Sequence, residues 1–445
     1  MNDPRDLMAK SPMTRLQILV VAITVGLTGL DGFDVLSSSF ASPGIAREWG
    51  IDRAALGVVL SMDLLGMALG SVFLGGIADY IGRRKTLLGC LALMTFGMMM
   101  VVWVHGLRAL CVWRIVTGLG IGGMLATNNA VATEFANTRR RDLAVSMMAI
   151  GYPLGAIIGG SIAAQLLKSG NWRVVFEFGA ICTAVFLPLV YWCVPESVSW
   201  LCQKQPQDAL SRLNRSLTRL GYGYGCVAQL PPQSRSQRRT SALDIFEPGR
   251  AVVTVLLTAT YFFHITTFYF MLKWVPKIVV DVGFAPSAAA GVLVWANVGG
   301  AAGGAALGLM TETLSLRAMT IATLFGSAVL VALFGQGHVD LTHLSVICAL
   351  VGFCTNAGVV GIYAVLARAY PTQQRATGTG FAVGVGRGGA MLAPIIAGLL
   401  FRAGLGLPWV AAIMATGSMI AVICMAALPR RASQGSSVVA PARAG

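Results

Sequence analysis

Between two long apolar runs the chain reads GGIADYIGRRK, from Gly75 to Lys85. The runs on either side cover about residues 54–78 and 86–104. Each is long enough to cross a bilayer, because roughly 20 apolar residues span roughly 30 Å of hydrocarbon. Three adjacent cations, Arg83, Arg84 and Lys85, occupy the short break, and basic residues collect in loops that stay in the cytoplasm. The pattern recurs later in the chain. Gly75, Asp79, Gly82 and Arg84 correspond, 233 residues on, to Gly308, Glu312, Ser315 and Arg317. At an offset of 234, Glu134 and Arg141 fall on Arg368 and Arg375. Two separate regions sharing nearly one offset imply a duplicated half.

Working outward, apolar runs fall at about 16–38, 54–78, 86–104, 107–133, 143–166 and 173–194. A second group falls at about 251–275, 285–309, 317–335, 343–369, 376–400 and 405–428. Strands of a closed barrel would be short and alternating, and these runs are long and continuous. The expected fold is an all-α integral membrane protein with about twelve transmembrane helices in two pseudo-symmetric six-helix bundles. Residues 1–194 form the N-terminal bundle, 195–250 a cytoplasmic linker with helix around 208–220, and 251–445 the C-terminal bundle with its tail. Composition agrees: of 445 residues, 56% are hydrophobic and 11% charged, against about 25% charged in soluble proteins.

The net charge of +15 would suggest nucleic acid in a soluble protein, but here the cations cluster in loops. Arg5, Lys10 and Arg15 precede the first run, Arg139, Arg140 and Arg141 fill the break after the fourth, and Arg430 and Arg431 follow the last. The linker adds Lys204, Arg212, Arg215, Arg219, Arg235, Arg238, Arg239 and Arg250. Both termini and the linker are thereby expected in the cytoplasm. The first run is too long for a signal-peptide core and is read as a retained helix. The nine cysteines form no CxxC pair and read as buried thiols, so neither a metal nor any other cofactor is expected. No nucleophile–base or phosphate-binding constellation appears either, which argues against an enzyme and against ATP as energy source.

The Gly75–Lys85 stretch resembles the signature loop of the major facilitator superfamily, with Tyr80 where that family usually has a basic residue. RIVTGLGIGG (Arg114 to Gly123) resembles the superfamily's motif in the fourth span, and PESVSWL (Pro195 to Leu201) its motif after the sixth. The resemblance implies parallel halves related by an axis along the membrane normal, with a central site. It also implies that Asp79 pairs with nearby guanidinium or helix-dipole charge and latches one state. GYPLGAIIGG in the fifth span reads either as an antiporter motif or as glycine spacing for close helix packing.

Charges inside the bilayer are costly, so each is a functional candidate. Asp31 and Asp34 in GLDGFDVLSSS lie on one helical face, three residues apart. Like charges so close in a low dielectric disfavour both being ionised, which suits a proton carrier; the alternative is an ion pair with a basic residue elsewhere. DGFD resembles the first-span signature of the aromatic acid:proton symporter family, and ARAYPTQQRATGTG followed by VGVGRGG resembles its tenth and eleventh spans. That resemblance implies transport roles for Asp31, Asp34, Asp79, Arg83, Arg84 and Glu134, and for Arg375 and Arg387. Gly82 belongs to the same gating loop.

Arg387 stands among Gly384, Gly386, Gly388 and Gly389, and its fork matches a carboxylate. Its anion is either Asp31/Asp34 or the cargo, and exchange between them would couple proton uptake to binding; the other reading is a fixed salt bridge. His264, at offset 233 from Asp31, either serves a ring hydroxyl or proton or is a satisfied interior histidine. Around it YFFHITTFYF supplies Tyr261, Phe262, Phe263, Phe268, Tyr269 and Phe270, with Trp295, Asn297 and Tyr363 as further pocket candidates. Asp63 and Arg114 are expected to pair structurally, with Arg114 also able to assist proton movement, and Glu177 lies near the start of the sixth span.

The sequence thus points to proton-coupled uptake of a small aromatic carboxylate, a benzoate or hydroxybenzoate, by alternating access in the cell membrane. Drug:proton antiport, uptake of a non-aromatic organic acid and a non-transporting receptor are the alternatives. The expected partners are the cargo, protons and lipid, with no nucleic acid, and the expected working unit is a monomer.

Overall fold

The computed structural model describes residues 3–223, 230, 246, 251–311, 314–337, 340–370 and 374–429. Twelve of its helices are long and apolar enough to cross a membrane, and no strand occurs among the described residues. After a short α1 (Pro4–Lys10) come six spans: α2 (Arg15–Trp49), α3 (Arg53–Ile81), α4 (Arg83–Val102), α5 (Leu107–Phe135), α6 (Arg141–Leu166) and α7 (Arg173–Cys193). Two short helices follow, α8 (Val198–Lys204) and α9 (Ala209–Arg219). The remaining spans are α10 (Ala251–Asp281), α11 (Pro286–Met310), α12 (Leu316–Phe334), α13 (Leu341–Ala369), α14 (Arg375–Arg402) and α15 (Leu407–Ala427).

Two helices run well past the ends of their apolar runs. α2 continues from about 38 to Trp49 through Ser37–Ser39 and Pro43, and α10 continues to Asp281 through Pro276. Pro43 has no N–H for the carbonyl of Ser39. The Ser42 hydroxyl donates to that carbonyl at 2.8 Å, and Ser37 donates to the carbonyl of Asp34 at 2.6 Å. Short hydroxyl side chains thus supply the missing donor where the helix is polar. At the other end, Thr14 and Gln17 close a reciprocal capping box that starts α2.

The chain forms two compact units, one of Met1–Ser236 with Lys273–Val294, the other of Gln237–Leu272 with Trp295–Gly445. In the first unit α3 packs on α5, α2 on α6, and α4 on both α5 and α7. Glycines set these spacings. A Cβ on Gly118 of α5 would lie 2.2 Å from the carbonyl oxygen of Asp63, and one on Gly155 of α6 would lie 1.8 Å from that of Gly29. Gly151 and Gly155 of GYPLGAIIGG therefore serve backbone-to-backbone contact with α2, the packing alternative of the two read from the sequence. In the second unit α12 packs on α13 and α15. Arg235, Arg238, Arg239, Arg250, Glu312, Arg430 and Arg431 lie outside the described residues.

Gly118→Leu is expected to destabilise the first unit by about 3 kcal/mol, since neither backbone can yield. Gly89→Ala, inside α4 where nothing lies within 4 Å, serves as the control and should hold stability or raise it by about 1 kcal/mol. Thermal unfolding of the two purified variants in detergent checks both outcomes.

Candidate functional site

The close approach of α3 and α5 brings Asp63 and Arg114 together in the interior, each with no exposed side-chain surface. One Arg114 terminal nitrogen donates to Asp63 Oδ2 at 2.9 Å and to the backbone carbonyl of Asp34 at 3.0 Å. The other lies 3.5 Å from the Met98 sulfur, and the guanidinium carbon sits 5.4 Å from the centre of the Phe176 ring. Lys273 of α10 joins the same carboxylate. Its Nζ donates to Asp63 Oδ2 at 2.6 Å, to the carbonyl of Val35 at 2.5 Å and to Ser38 Oγ at 3.2 Å. Ser38 adds a 3.1 Å hydrogen bond to the same oxygen, and Oδ1 accepts from the Leu64 amide at 2.9 Å. Asp63 thus holds two buried cations, one more than the sequence predicts. Lys273 is not among the sequence candidates because it falls at the edge of its apolar run, where a lysine ordinarily snorkels to the interface.

Asp31 and Asp34 are both buried in α2. The Asp34 carboxylate oxygens accept no hydrogen bond. Arg114 acts on the group electrostatically, and one oxygen lies 3.3 Å from where a Cβ on Gly179 of α7 would stand. The guanidinium facing Asp34 is therefore that of Arg114, within its own unit. Asp31 acts electrostatically on Cys90 of α4. Glu177 is exposed near the start of α7.

At the basic end of this unit the signature loop closes into an ion-pair cluster. Arg83 pairs with Asp79 at 2.6 Å and with Glu134 of α5 at 3.1 Å. Glu196 caps α4: its Oε1 accepts from the backbone amides of Arg83, Arg84 and Ser197 at 2.8, 3.3 and 3.1 Å. Trp200 Nε1 donates to the Asp79 carbonyl at 2.9 Å. Gly82 is required twice over. Its φ is +104°, and a Cβ there would lie 2.4 Å from a Glu196 oxygen. Arg375 opens α14, and its side chain lies outside the described residues.

At the opposite end of the unit a cleft of about 1250 Å³ is lined by Arg47, Arg53, Lys168 and Lys277 together with Glu48, Asp52 and Asp281. Arg53 pairs with Asp281 at 3.1 Å, and Arg173 pairs with Glu48 at 2.7 Å. Lys277 also pairs with Asp281.

In the second unit His264 is fully buried with both ring nitrogens engaged. Nε2 lies 2.9 Å from the carbonyl of Thr355 and so carries the proton, leaving Nδ1 to accept from Ser418 Oγ at 2.9 Å. Ser418 in turn contacts Ser327 Oγ at 3.1 Å. This is the satisfied interior histidine of the two readings. Tyr261 and Tyr363 share a hydroxyl–hydroxyl hydrogen bond of 2.9 Å, and Arg387 acts electrostatically on both. Arg387 is half-buried, Asn297 is buried, and Trp295 is exposed. A fixed positive charge beside two phenol groups can recognise a carboxylate or a ring hydroxyl.

Twelve spans, a duplicated pattern and charges buried among the helices define a multi-pass membrane transporter, not an enzyme. The chain belongs to the Major Facilitator Superfamily, whose profile matches residues 24–304 and 254–444. It is similar to the gallate transporter of Pseudomonas putida, with 29% identity over 91% of this chain and 90% of that one. The 3-(3-hydroxy-phenyl)propionate transporter of Escherichia coli (strain K12) shares 31% identity over 93% of this chain and 95% of its own length. The 4-hydroxybenzoate transporter of Pseudomonas putida shares 29% over 88% and 87%. Among solved structures, the partially occluded inward-open xylose transporter XylE from E. coli overlays with a TM-score of 0.71 at 16% identity, over 93% of this chain and 98% of that one. That last likeness shows the fold alone.

Asp63→Asn strands two buried cations and is expected to destabilise the protein by about 3–5 kcal/mol. Adding Lys273→Met removes one of them and should recover a large part of the loss. A double-mutant cycle on thermal unfolding in detergent reads the coupling.

Burial pushes the Glu196 carboxyl above the usual glutamate range, against the pull of the Ser197, Arg84 and Arg83 amides and of Arg212. The folded chain then keeps a proton that the unfolded chain releases, so this contribution to stability falls as pH rises from the ordinary glutamate value through the raised one. Glu196→Gln should flatten that slope, and melting curves from about pH 4 to about pH 7 test it. Gly82→Ala should lower stability at every pH.

Proposed function

We propose that this transporter takes up a small aromatic carboxylate together with protons by alternating access. The observation that carries the reading is the set of buried charges in the spans of the first unit. Among its described residues, three carboxyls (Asp31, Asp34 and Asp63) are buried with two cations, Arg114 and Lys273. Fully ionised, this set is one negative charge out of balance, and an uncompensated buried charge is costly. One proton closes the balance. Asp63 is held by both cations, so that proton belongs on Asp31 or Asp34. A second proton leaves the set one positive, and an anionic cargo offsets it. Uptake of a monocarboxylate with a proton follows from that arithmetic.

The nature of the cargo rests on the relatives, which carry gallate, 4-hydroxybenzoate and 3-(3-hydroxy-phenyl)propionate. Each of these is a carboxylic acid with a hydroxylated ring. Arg387 with the Tyr261–Tyr363 pair offers matching chemistry, a guanidinium for the carboxylate and phenols for ring hydroxyls. We orient the loops holding Arg83–Lys85 and Arg139–Arg141, and with them both termini, toward the cytoplasm, because uneven arginine and lysine content sets topology.

The test is uptake into proteoliposomes under an inward proton gradient, with labelled 4-hydroxybenzoate, benzoate and a non-aromatic acid. Accumulation of the aromatic acids that a protonophore abolishes is the expected result. Asp34→Asn should cut gradient-driven accumulation about tenfold or more while preserving counterflow exchange, because the proton site is lost and the binding site kept. Accumulation unaffected by the protonophore, or driven equally by Asp34→Asn, would sink the coupling scheme.

A further inference from the structure

At the basic end of the first unit, α9 lies against the start of α4. Ala209, Leu213 and Leu217 are its buried apolar residues, at the i, i+4, i+8 spacing of one helical face. Arg212, Arg215 and Arg219 fall on another face, and with Arg84 and Lys85 they line a cavity of about 120 Å³. The one acid in the lining is Glu196, whose Oε1 is taken up by three backbone amides. Five cations therefore face a small cavity; Arg212 acts electrostatically on Glu196, and none of the five is in direct ion-pair contact with a described Asp or Glu. Arg84 Nε is buried with no hydrogen-bond partner. An arrangement of this kind carries an unanswered positive charge.

The cavity sits at the level of the bilayer surface. Arg84 and Arg219 donate to the backbone carbonyls of Tyr191 and Trp192, in the last turn of α7. The Arg84 guanidinium lies 4.9 Å from the centre of the Tyr191 ring. Tyr191 and Trp192 are themselves exposed, as aromatic residues are where a span leaves the hydrocarbon. Guanidinium groups match phosphate oxygens in geometry as well as charge. Volume, charge and depth agree on one kind of ligand.

The geometry points to a phosphate-binding site formed by Arg84, Lys85, Arg212, Arg215 and Arg219 that holds the headgroup of an anionic phospholipid. A lipid there would tie α9 and the signature loop to the membrane surface, so lipid charge would bear on the loop that Arg83, Asp79 and Glu134 close. The site is independent of which solute is transported.

The probe is phosphatidylglycerol, followed by native mass spectrometry of the full-length protein released from detergent, with zwitterionic phosphatidylcholine, net neutral, as the comparison. Wild-type protein is expected to retain phosphatidylglycerol selectively. Arg212→Gln/Arg215→Gln should weaken retention about tenfold or more, given that each basic residue near a surface contributes roughly fivefold. Arg212→Lys/Arg215→Lys, which keeps the charge, should retain most of it. Melting temperature in detergent micelles containing phosphatidylcholine confirms that the variants fold. A separate titration with inorganic phosphate distinguishes the source. If it leaves phosphatidylglycerol bound, the site is a lipid site; if it stabilises the protein and displaces the lipid equally from wild type, the phosphate site stands but its ligand is soluble. Equal retention of phosphatidylglycerol and phosphatidylcholine, or no effect of the Gln substitutions, overturns the proposal.

Discussion

The carboxylate of Asp63 holds the guanidinium of Arg114 and the ammonium of Lys273 in an interior without exposed surface, and much of the first unit is arranged around that contact. It needs α3 and α5 to touch backbone to backbone, which Gly118 permits beneath Asp63 itself. It also draws on α2, whose carbonyls at Asp34 and Val35 and hydroxyl at Ser38 complete the donors' geometry. Removing water from ions costs several kcal/mol each, and only a full set of partners offsets it. The Asp34 carboxylate in this neighbourhood accepts no hydrogen bond. A carboxyl so placed is sensitive to whatever changes the charge of its neighbours, which is the physical basis for coupling a proton to an anion.

The two ends of the first unit solve different problems. At the basic end, Gly82 lets the chain turn from α3 into α4 at a positive φ, and Glu196 answers amides that open α4. The same loop neutralises Arg83 between Asp79 and Glu134 while leaving Arg84 and Lys85 turned to other uses. At the other end acids and bases nearly match, with Arg53, Lys277 and Asp281 sharing one cluster and Arg173 with Glu48 another. One end of the unit is thus strongly basic and the other close to neutral, as a polytopic helix bundle inserted under the control of arginine and lysine should be.

Chemistry in the second unit is of another kind. His264, Ser418, Ser327 and Thr355 make a closed hydrogen-bond chain with no formal charge, linking α10, α12, α13 and α15. Such chains specify packing among helices that have little hydrophobic reason to choose one partner over another. The Tyr261–Tyr363 pair lies beside a permanent cation, Arg387, and is held by glycine on the α14 side, where a Cβ on Gly386 would stand 2.0 Å from the Tyr261 ring. Phenols and a guanidinium present both donors and acceptors to a hydroxylated acid, whereas the first unit's interior is built around ions.

By itself the sequence determined the number, order and approximate limits of the spans, the linker helix near 209–219 and the basic character of one set of loops. These are properties of segments about 20 residues long, and hydrophobicity and charge act there without regard to distant residues. The signature loop was legible for the same reason, since Asp79 and Arg83 are only four residues apart in the chain. Helix ends were misjudged at α2 and α10, where polar stretches stay helical because serine hydroxyls answer carbonyls locally or because tertiary partners hold them. Pairing across helices was legible only for Asp63 and Arg114. That Lys273 shares the carboxylate, that Arg114 is the guanidinium facing Asp34, and that Glu196 caps α4 were decided by the tertiary structure. In a medium where water cannot shield a charge, an ion's partner is whichever group the packing brings within about 3 Å, and that distance is not written in the chain.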